Sequence, residues 1–154
     1  MAIEIERKFL IRLDRLPPLT NGLAIQQAYV PTANGTTVRI RVAGDQAYMG
    51  IKTPAIRFSR REYEYPIPMD DALEMLEEVC HLARIEKQRF LITQDDLTWE
   101  IDVFGGENSG LIIAEIELDS ENRELDLPDW VEAEVTFDPR YSNHSLSLAP
   151  FNTW

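Results

Sequence analysis

Charged residues spaced two apart, with apolar residues between them, recur along the whole chain. In an extended strand that spacing puts the charges on one face and the apolar groups on the other. The opening segment groups Glu4, Glu6 and Lys8 against Ile3, Ile5 and Phe9. Val38, Ile40 and Val42 interleave Arg39 and Arg41; Tyr63 and Tyr65 flank Glu64; Ile101 and Val103 flank Asp102; Ile116 and Leu118 flank Glu117. With 27% of the residues charged, chance alone produces about ten charged-x-charged pairs in this length, so their number decides nothing. The interleaved apolar positions carry the information, because they make strands with one charged and one apolar face.

The signs are also sorted. Arg39/Arg41, Glu62/Glu64, Lys87/Arg89, Glu100/Asp102, Glu115/Glu117 and Glu132/Glu134 are like-charged pairs, although side chains at i and i+2 sit only about 7 Å apart. A solvated face would mix the signs more often. Like pairs persist at little cost when each faces a multivalent counter-charge, carboxylates around a divalent cation and guanidinium or ammonium groups around a polyanion. Closing the sheet with its charged face inward makes a barrel whose interior is a tunnel holding both. Its apolar outside, covered by helices, is then the hydrophobic core.

Turn signals divide the chain at Pro17-Pro18, Asn21-Gly22, Asn34-Gly35, Gly44-Asp45, Pro54, Asp95-Asp96 and Gly105-Gly106. Between them alternating runs predict strands near 2–12, 25–31, 36–43, 46–53, 60–67, 86–94, 97–104, 111–119 and 131–137. Asp70 to Ala83 breaks the period: Ala72, Leu73, Leu76, Val79, Cys80 and Ala83 fall at helical spacing, with acids early and His81 and Arg84 late, which suits the helix dipole. Ser120 to Glu124 suggests a helical turn. Ser142 to Leu148 suggests a final helix capped by Ser142 and stopped by Pro150. The 154 residues, 44% hydrophobic, fit one domain spanning 1–154.

A net charge of -12 argues against broad attraction to nucleic acid or to anionic membranes. No apolar run reaches the roughly 20 residues of a membrane span, and the N-terminus turns charged at Glu4, so a cytoplasmic protein is expected. The lone Cys80 in an amphipathic helix reads as a buried structural thiol. His81 and His144, far apart and without HExxH spacing, give no zincin site and suggest surface or helix-packing roles. Oxygen-only ligation points instead to a hard ion, Mg²⁺ or Mn²⁺. Lys8, Arg39, Arg41, Lys52, Lys87 and Arg89 suit a compact, highly charged phosphate chain. Metal, cations and polyphosphate together imply phosphoryl transfer.

The ordered series Glu4-x-Glu6-x-Lys8, Arg39-x-Arg41, Lys52, Glu62-x-Glu64, Lys87-x-Arg89, Glu100-x-Asp102 and Glu115-x-Glu117 resembles the CYTH superfamily, the triphosphate tunnel metalloenzymes. Glu134-Val135-Thr136 and Arg140-Tyr141-Ser142-Asn143 resemble the C-terminal pattern of its short bacterial members. The resemblance implies an eight-stranded antiparallel tunnel, mainly β with flanking helices, that hydrolyses triphosphates with a divalent metal. It makes Glu4, Glu6, Glu115 and Glu117 the main metal ligands. Glu62, Glu64, Glu100 and Asp102 would serve a second ion or hold the cations, and Glu134 is favoured over Glu132 as a further ligand. Lys8, Arg39, Arg41, Lys52, Lys87 and Arg89 would grip the phosphates, with Arg60 either joining them or standing at the tunnel mouth. One departure is Gly50, where family strands often carry Thr two residues before the lysine.

On this reading water activated by the metal attacks the terminal phosphorus in line, the arginines Arg39 and Arg41 neutralise the equatorial oxygens, and Lys87 or Lys52 serves the leaving oxygen. Relatives include class IV adenylate cyclases and thiamine and RNA triphosphatases. No aromatic insertion for a base or thiazolium stands out, so inorganic tripolyphosphate, cleaved to pyrophosphate and orthophosphate, is the first substrate and ATP the second. A non-catalytic polyphosphate-binding module would be hindered by so many carboxylates. A structural acidic domain with merely solvated faces is the blandest alternative. The tail from Tyr141 to Trp154 is either a lid or a core seal. A homodimer suits this type of domain, with no interface legible in the chain.

Overall fold

The computed structural model describes residues 3–80 and 82–154. Its strands are β1 (Ile3–Ile11), β2 (Leu23–Val30), β3 (Thr37–Ala43), β4 (Gln46–Lys52), β5 (Ser59–Pro66), β6 (Ile85–Gln94), β7 (Leu97–Phe104), β8 (Ile112–Glu117) and β9 (Val131–Glu134). Two α-helices, α1 (Met69–Glu78) and α2 (Asn143–Leu148), complete it. The strands pair antiparallel in the order β5-β4-β3-β2-β6-β7-β8-β1-β9, and a further β1–β5 pairing closes eight of them into a barrel. β1 makes this closure by changing partner along one edge. Ile3 to Ile5 face β5, whereas Phe9 and Ile11 face the extra strand β9.

The period-two pattern decides which face is which. On β1, Glu4, Glu6, Lys8 and Leu10 point inward, while Phe9 packs outward against Trp99 and Trp130 with ring centroids 5.6 Å from the first. This outer core also holds Ile101, Ala114, Ile116 and Val131. A second outer core sets Ala28, Ile40, Val42 and Ala47 against Ala72 and Leu76 of α1 and the buried Cys80. The apolar outside is thus the main core, as expected, but helix α1 covers only its β3 and β4 sector. Leu16, Leu19 and Leu125, in connecting segments, cover much of the rest.

Helix α1 ends at Glu78 with Val79 as its C-cap, short of the expected Ala83. The C-cap Val79 stays in the right-handed region at a widened φ of -114° (ψ -14°), and both its N–H and that of Cys80 donate to the Met75 carbonyl, which closes the helix while Cys80 keeps its core contact. His81 lies outside the described residues. Residues 121–122 form a turn rather than helix. Ser142 caps α2 as expected, its Oγ accepting from Ser145 N–H at 3.1 Å.

Inside, the barrel has two zones. Toward one end Leu10, Tyr29, Ile85, Phe104 and Ile113 form an apolar layer, against which Leu146 of α2 and Tyr141 pack. Leu146 is wholly buried. The tail is therefore a seal on that end, and the charged zone lies above it.

Candidate active site

Cross-strand register stacks the inward charges in rows. Glu100 of β7, Glu115 of β8 and Lys8 of β1 are successive partners; Arg39 of β3, Gly50 of β4 and Glu64 of β5 form a second row; Lys52 and Glu62 a third. These rows surround a cavity of about 240 Å³. It is lined by Lys8, Arg39, Arg41, Lys52, Arg60, Lys87 and Arg89 and by Glu4, Glu6, Glu62, Glu64, Glu100, Glu115 and Glu117. Charged residues from seven of the eight barrel strands, and Tyr29 from the eighth, thus converge on one space, and Arg60 belongs to the group.

Most cations there are held by carboxylates. Arg39 Nη2 lies 2.9 Å from Glu64, Lys52 Nζ is 3.0 Å from Glu4 and 3.3 Å from Glu62, and Arg60 reaches Glu4 and Glu6 at 3.8 Å. Lys8 is more loosely placed, 3.6 Å from Glu115 and 3.9 Å from Glu6. Arg89 grips Asp102 with two nitrogens at 2.8 and 2.9 Å and meets Glu100 at 2.7 Å. Lys87 donates to Asp102 at 2.8 Å and to Asn143 Oδ1 at 2.9 Å. Arg41 differs: among the described residues it has no carboxylate within ion-pair distance, and its Nε donates to Gln27 Oε1 at 2.8 Å. Burial, then the neighbouring charges of Arg39 and Arg89, pushes its pKa down to about 10.

Gly50 has a local reason. A Cβ there would come within 3.1 Å of Arg39 Nη2, so glycine leaves the guanidinium free to lie across β4 toward Glu64.

Burial would by itself raise the pKa of Glu4, but the charges of Lys52 and Arg60 outweigh it and hold the carboxyl below its usual range. Asp102 behaves likewise: burial raises, Lys87 and Arg89 outweigh it, and the carboxyl lies far below its usual range. Both groups are protonated more readily in the unfolded chain, so both stabilise the fold above the unfolded carboxylate range, and that contribution is lost as pH falls through the folded values. Glu100, raised chiefly by burial, acts in the opposite direction. With Asp96, Glu134 and Asp138 also held low by their arginine partners, five carboxyls are depressed against one raised, and the melting temperature is expected to decline steadily below about pH 4. Circular dichroism melts across that range check this, and Asp102→Asn is expected to flatten the slope. A melting temperature independent of pH down to about 2 would contradict the ion-pair assignment.

Two expected site residues stand apart from the cavity. Asp102 lies beneath its wall, wholly buried, and its oxygens accept from Lys87 and Arg89, so in this arrangement it holds the cations. Glu134 is a correction. It is the cross-strand partner of Phe9 and so shares that residue's outward face, where it makes a two-point ion pair with Arg7 at 2.9 and 2.6 Å. β9 lies beside the barrel's closing seam and is not one of its eight strands, so interior parity does not extend to it.

The sequence reading missed Gln27, Tyr29, Thr37, Ser142 and Asn143, and gave His144 a surface or packing role. All but Gln27 line the cavity, and His144 also packs edge-on to Tyr29 at 5.0 Å. Their only signal was position: Gln27 and Tyr29 precede Val30 at inward parity, and the Ser142 cap fixes where Asn143 and His144 fall. Phe58 and Phe137, distant in sequence, meet with ring centroids 5.8 Å apart, and Phe58 with Arg57 helps to line a smaller cavity of about 140 Å³ that shares Glu4, Glu6, Lys8, Arg60 and Ser142 with the main one. An aromatic surface therefore exists where none stood out in the sequence.

No group of three or more His, Cys, Asp and Glu side chains among the described residues is gathered as a ready-made metal cage. The donor set nevertheless fits a hard divalent ion. Glu6 and Glu117 are directly opposed across β1 and β8, as are Glu100 and Glu115 across β7 and β8, arrangements that repel unless a cation intervenes. Glu4 Oε2 is buried without a hydrogen-bond partner, its 3.0 Å approach to Lys52 being poorly directed. An ion would displace lysine and arginine from carboxylates that already face one space.

The CYTH domain model matches residues 2–150. An inorganic triphosphatase of Acetivibrio thermocellus is 43% identical over 154 residues, covering 100% of this chain and 99% of that protein. An inorganic triphosphatase of Nitrosomonas europaea is 35% identical over 150 residues, covering 95% and 97%. Among solved structures, the inorganic triphosphatase NE1496 superimposes with a TM-score of 0.69 at 33% identity, covering 96% of each chain.

Proposed function

Because the chain belongs to the CYTH domain family, we propose that it is a divalent-metal-dependent triphosphatase that cleaves inorganic tripolyphosphate to pyrophosphate and orthophosphate within its barrel. The observation that carries the substrate choice is the cavity's lining: side chains of both charge signs on nearly every side, with Tyr29 and His144 as its only rings among the described residues. Such a space suits a compact polyanion with its counter-ion, and leaves little surface for an organic group.

Glu4, Glu6, Glu115 and Glu117 would hold Mg²⁺ or Mn²⁺, with Glu62, Glu64 and Glu100 near enough to serve a second ion. A bound ion supplies charge neutralisation at the phosphates and a more acidic water as nucleophile. Arg39, Arg41 and Arg89 are suited to the equatorial oxygens, which they can meet with paired N–H donors. Lys8 and Lys52 contribute point charges nearer the mouth. Lys87 is the better candidate for the leaving oxygen: burial, only partly offset by Asp102, brings its pKa down to about 8, close to the pH at which a general acid works efficiently.

ATP is the second reading, supported by the Phe58 and Phe137 ring pair, since Phe58 lines the smaller cavity that shares residues with the main one and a base could rest there with its phosphates in the barrel. Phosphate release from tripolyphosphate, pyrophosphate, ATP and thiamine triphosphate, with product analysis for cyclic AMP, separates the readings. Tripolyphosphate is expected to be cleaved fastest, with pyrophosphate left intact. A higher kcat/KM for ATP, or cyclic AMP as product, would overturn the substrate choice while keeping the site.

A further inference from the structure

The sealed end of the cavity contains a polar network that the phosphate-binding charges alone do not explain. Gln27 is wholly buried on β2. Its Oε1 accepts from Arg41 Nε at 2.8 Å, and its Nε2 donates to Tyr29 Oη at 3.2 Å and to Asn143 Oδ1 at 3.3 Å. Asn143 Oδ1 accepts in turn from Lys87 Nζ at 2.9 Å, and Lys87 donates to Asp102. One neutral bridge thus joins Arg41, which has no carboxylate within ion-pair distance among the described residues, to Lys87, whose side chain is almost entirely out of solvent.

We infer that Gln27 and Asn143 are positioning residues for triphosphate binding, holding the Arg41 and Lys87 side chains toward the cavity so that helix α2 is a working part of the phosphate site. This rests on the reading of Arg41 and Lys87 as phosphate ligands. Neutral amides suit the task. A carboxylate beside Arg41 would compete with the substrate for the guanidinium, whereas an amide oxygen fixes the Nε direction and leaves the outer nitrogens available. Asn143 presents one oxygen to two donors; its loss frees Lys87, whereas Gln27 Nε2 keeps its bond to Tyr29 Oη. Its place in the chain explains the arrangement: the Ser142 cap starts α2 and Leu146 anchors it in the apolar layer, and Asn143, at the start of the helix, lines the cavity.

The test is a kinetic cycle with tripolyphosphate on the full chain, using Asn143→Leu, Gln27→Leu, Lys87→Met and the double variant Asn143→Leu/Lys87→Met. Asn143→Leu is expected to raise KM about tenfold or more, the usual weight of a hydrogen bond to a charged group, with its melting temperature close to the parent's. In the Lys87→Met background it is expected to add less than about threefold, because its effect runs through Lys87. Should the leucine variant fail to fold, Asn143→Ala takes its place in the same cycle. Unchanged KM in Asn143→Leu or Asn143→Ala, or full additivity with Lys87→Met, would overturn the inference. If Lys87→Met itself leaves KM unchanged, the reading of the phosphate site fails instead, so the two failures are distinguishable.

Discussion

Arg41→Met is expected to lower kcat/KM for tripolyphosphate by about 10²–10³-fold, the usual cost of removing one aimed electrostatic donor from a transition state, while the protein melts within a few degrees of the parent. The pairing of a large catalytic loss with a small stability change follows from Arg41's surroundings. The guanidinium is partly buried, lacks a carboxylate partner among the described residues, and is repelled by Arg39 and Arg89; desolvation and that repulsion bring its pKa down to about 10. Removing it relieves that repulsion. The opposing cost is a Gln27 oxygen left without its donor, about 1–3 kcal/mol. Arg89→Met should behave differently, because it strands Asp102 wholly buried with half its ligation gone, and breaking a buried pair costs about 3–5 kcal/mol. Steady-state kinetics with thermal melts on both variants separate the two roles. An Arg41→Met enzyme with parental kcat/KM would remove Arg41 from the phosphate site.

The second large effect is expected from the carboxylates. Glu4→Gln keeps the shape and the contact with Lys52 but removes the charge, and is expected to cut metal-dependent turnover by about 10³-fold or more. Glu117→Gln should do the same with less consequence for folding, since Glu117 is exposed and makes no ion pair among the described residues. Glu134→Gln supplies the contrast. Its carboxylate pairs with Arg7 on the outer face, so turnover is expected to stay within about twofold, with at most about 1 kcal/mol of stability lost. The metal concentration for half-maximal turnover, measured for all three, checks the ranking. Parental metal dependence in Glu4→Gln and Glu117→Gln would contradict the ligand assignment.

The barrel was legible in the sequence because strands with one buried and one charged face leave a period-two trace. The bounds of β3, β4 and β7 fall within one residue of the alternating runs, and the inward parity of Arg39, Arg41, Glu62, Glu64, Lys87 and Arg89 held throughout. The pattern failed where local parity no longer tracks the barrel axis. Glu134 alternates correctly along β9, but β9 sits outside the closed ring beside Phe9. Periodicity also cannot see neutral residues that gain a role from distant partners. Gln27 carries no charge to mark it, and Asn143 comes over the cavity only because Leu146 is buried beneath α2. Helix α1 was overextended for a related reason: Cys80 keeps its core contact from the turn that follows, so apolar spacing continued past the helix end.

The most direct measurement is orthophosphate release from tripolyphosphate as Mg²⁺ or Mn²⁺ is titrated in, with EDTA as the control. The opposed carboxylates and the surrounding cations predict saturable, EDTA-abolished cleavage that yields one orthophosphate and one pyrophosphate per turnover. Absence of turnover with either ion, together with no binding of tripolyphosphate, would contradict the account and return the charged interior to a purely structural role.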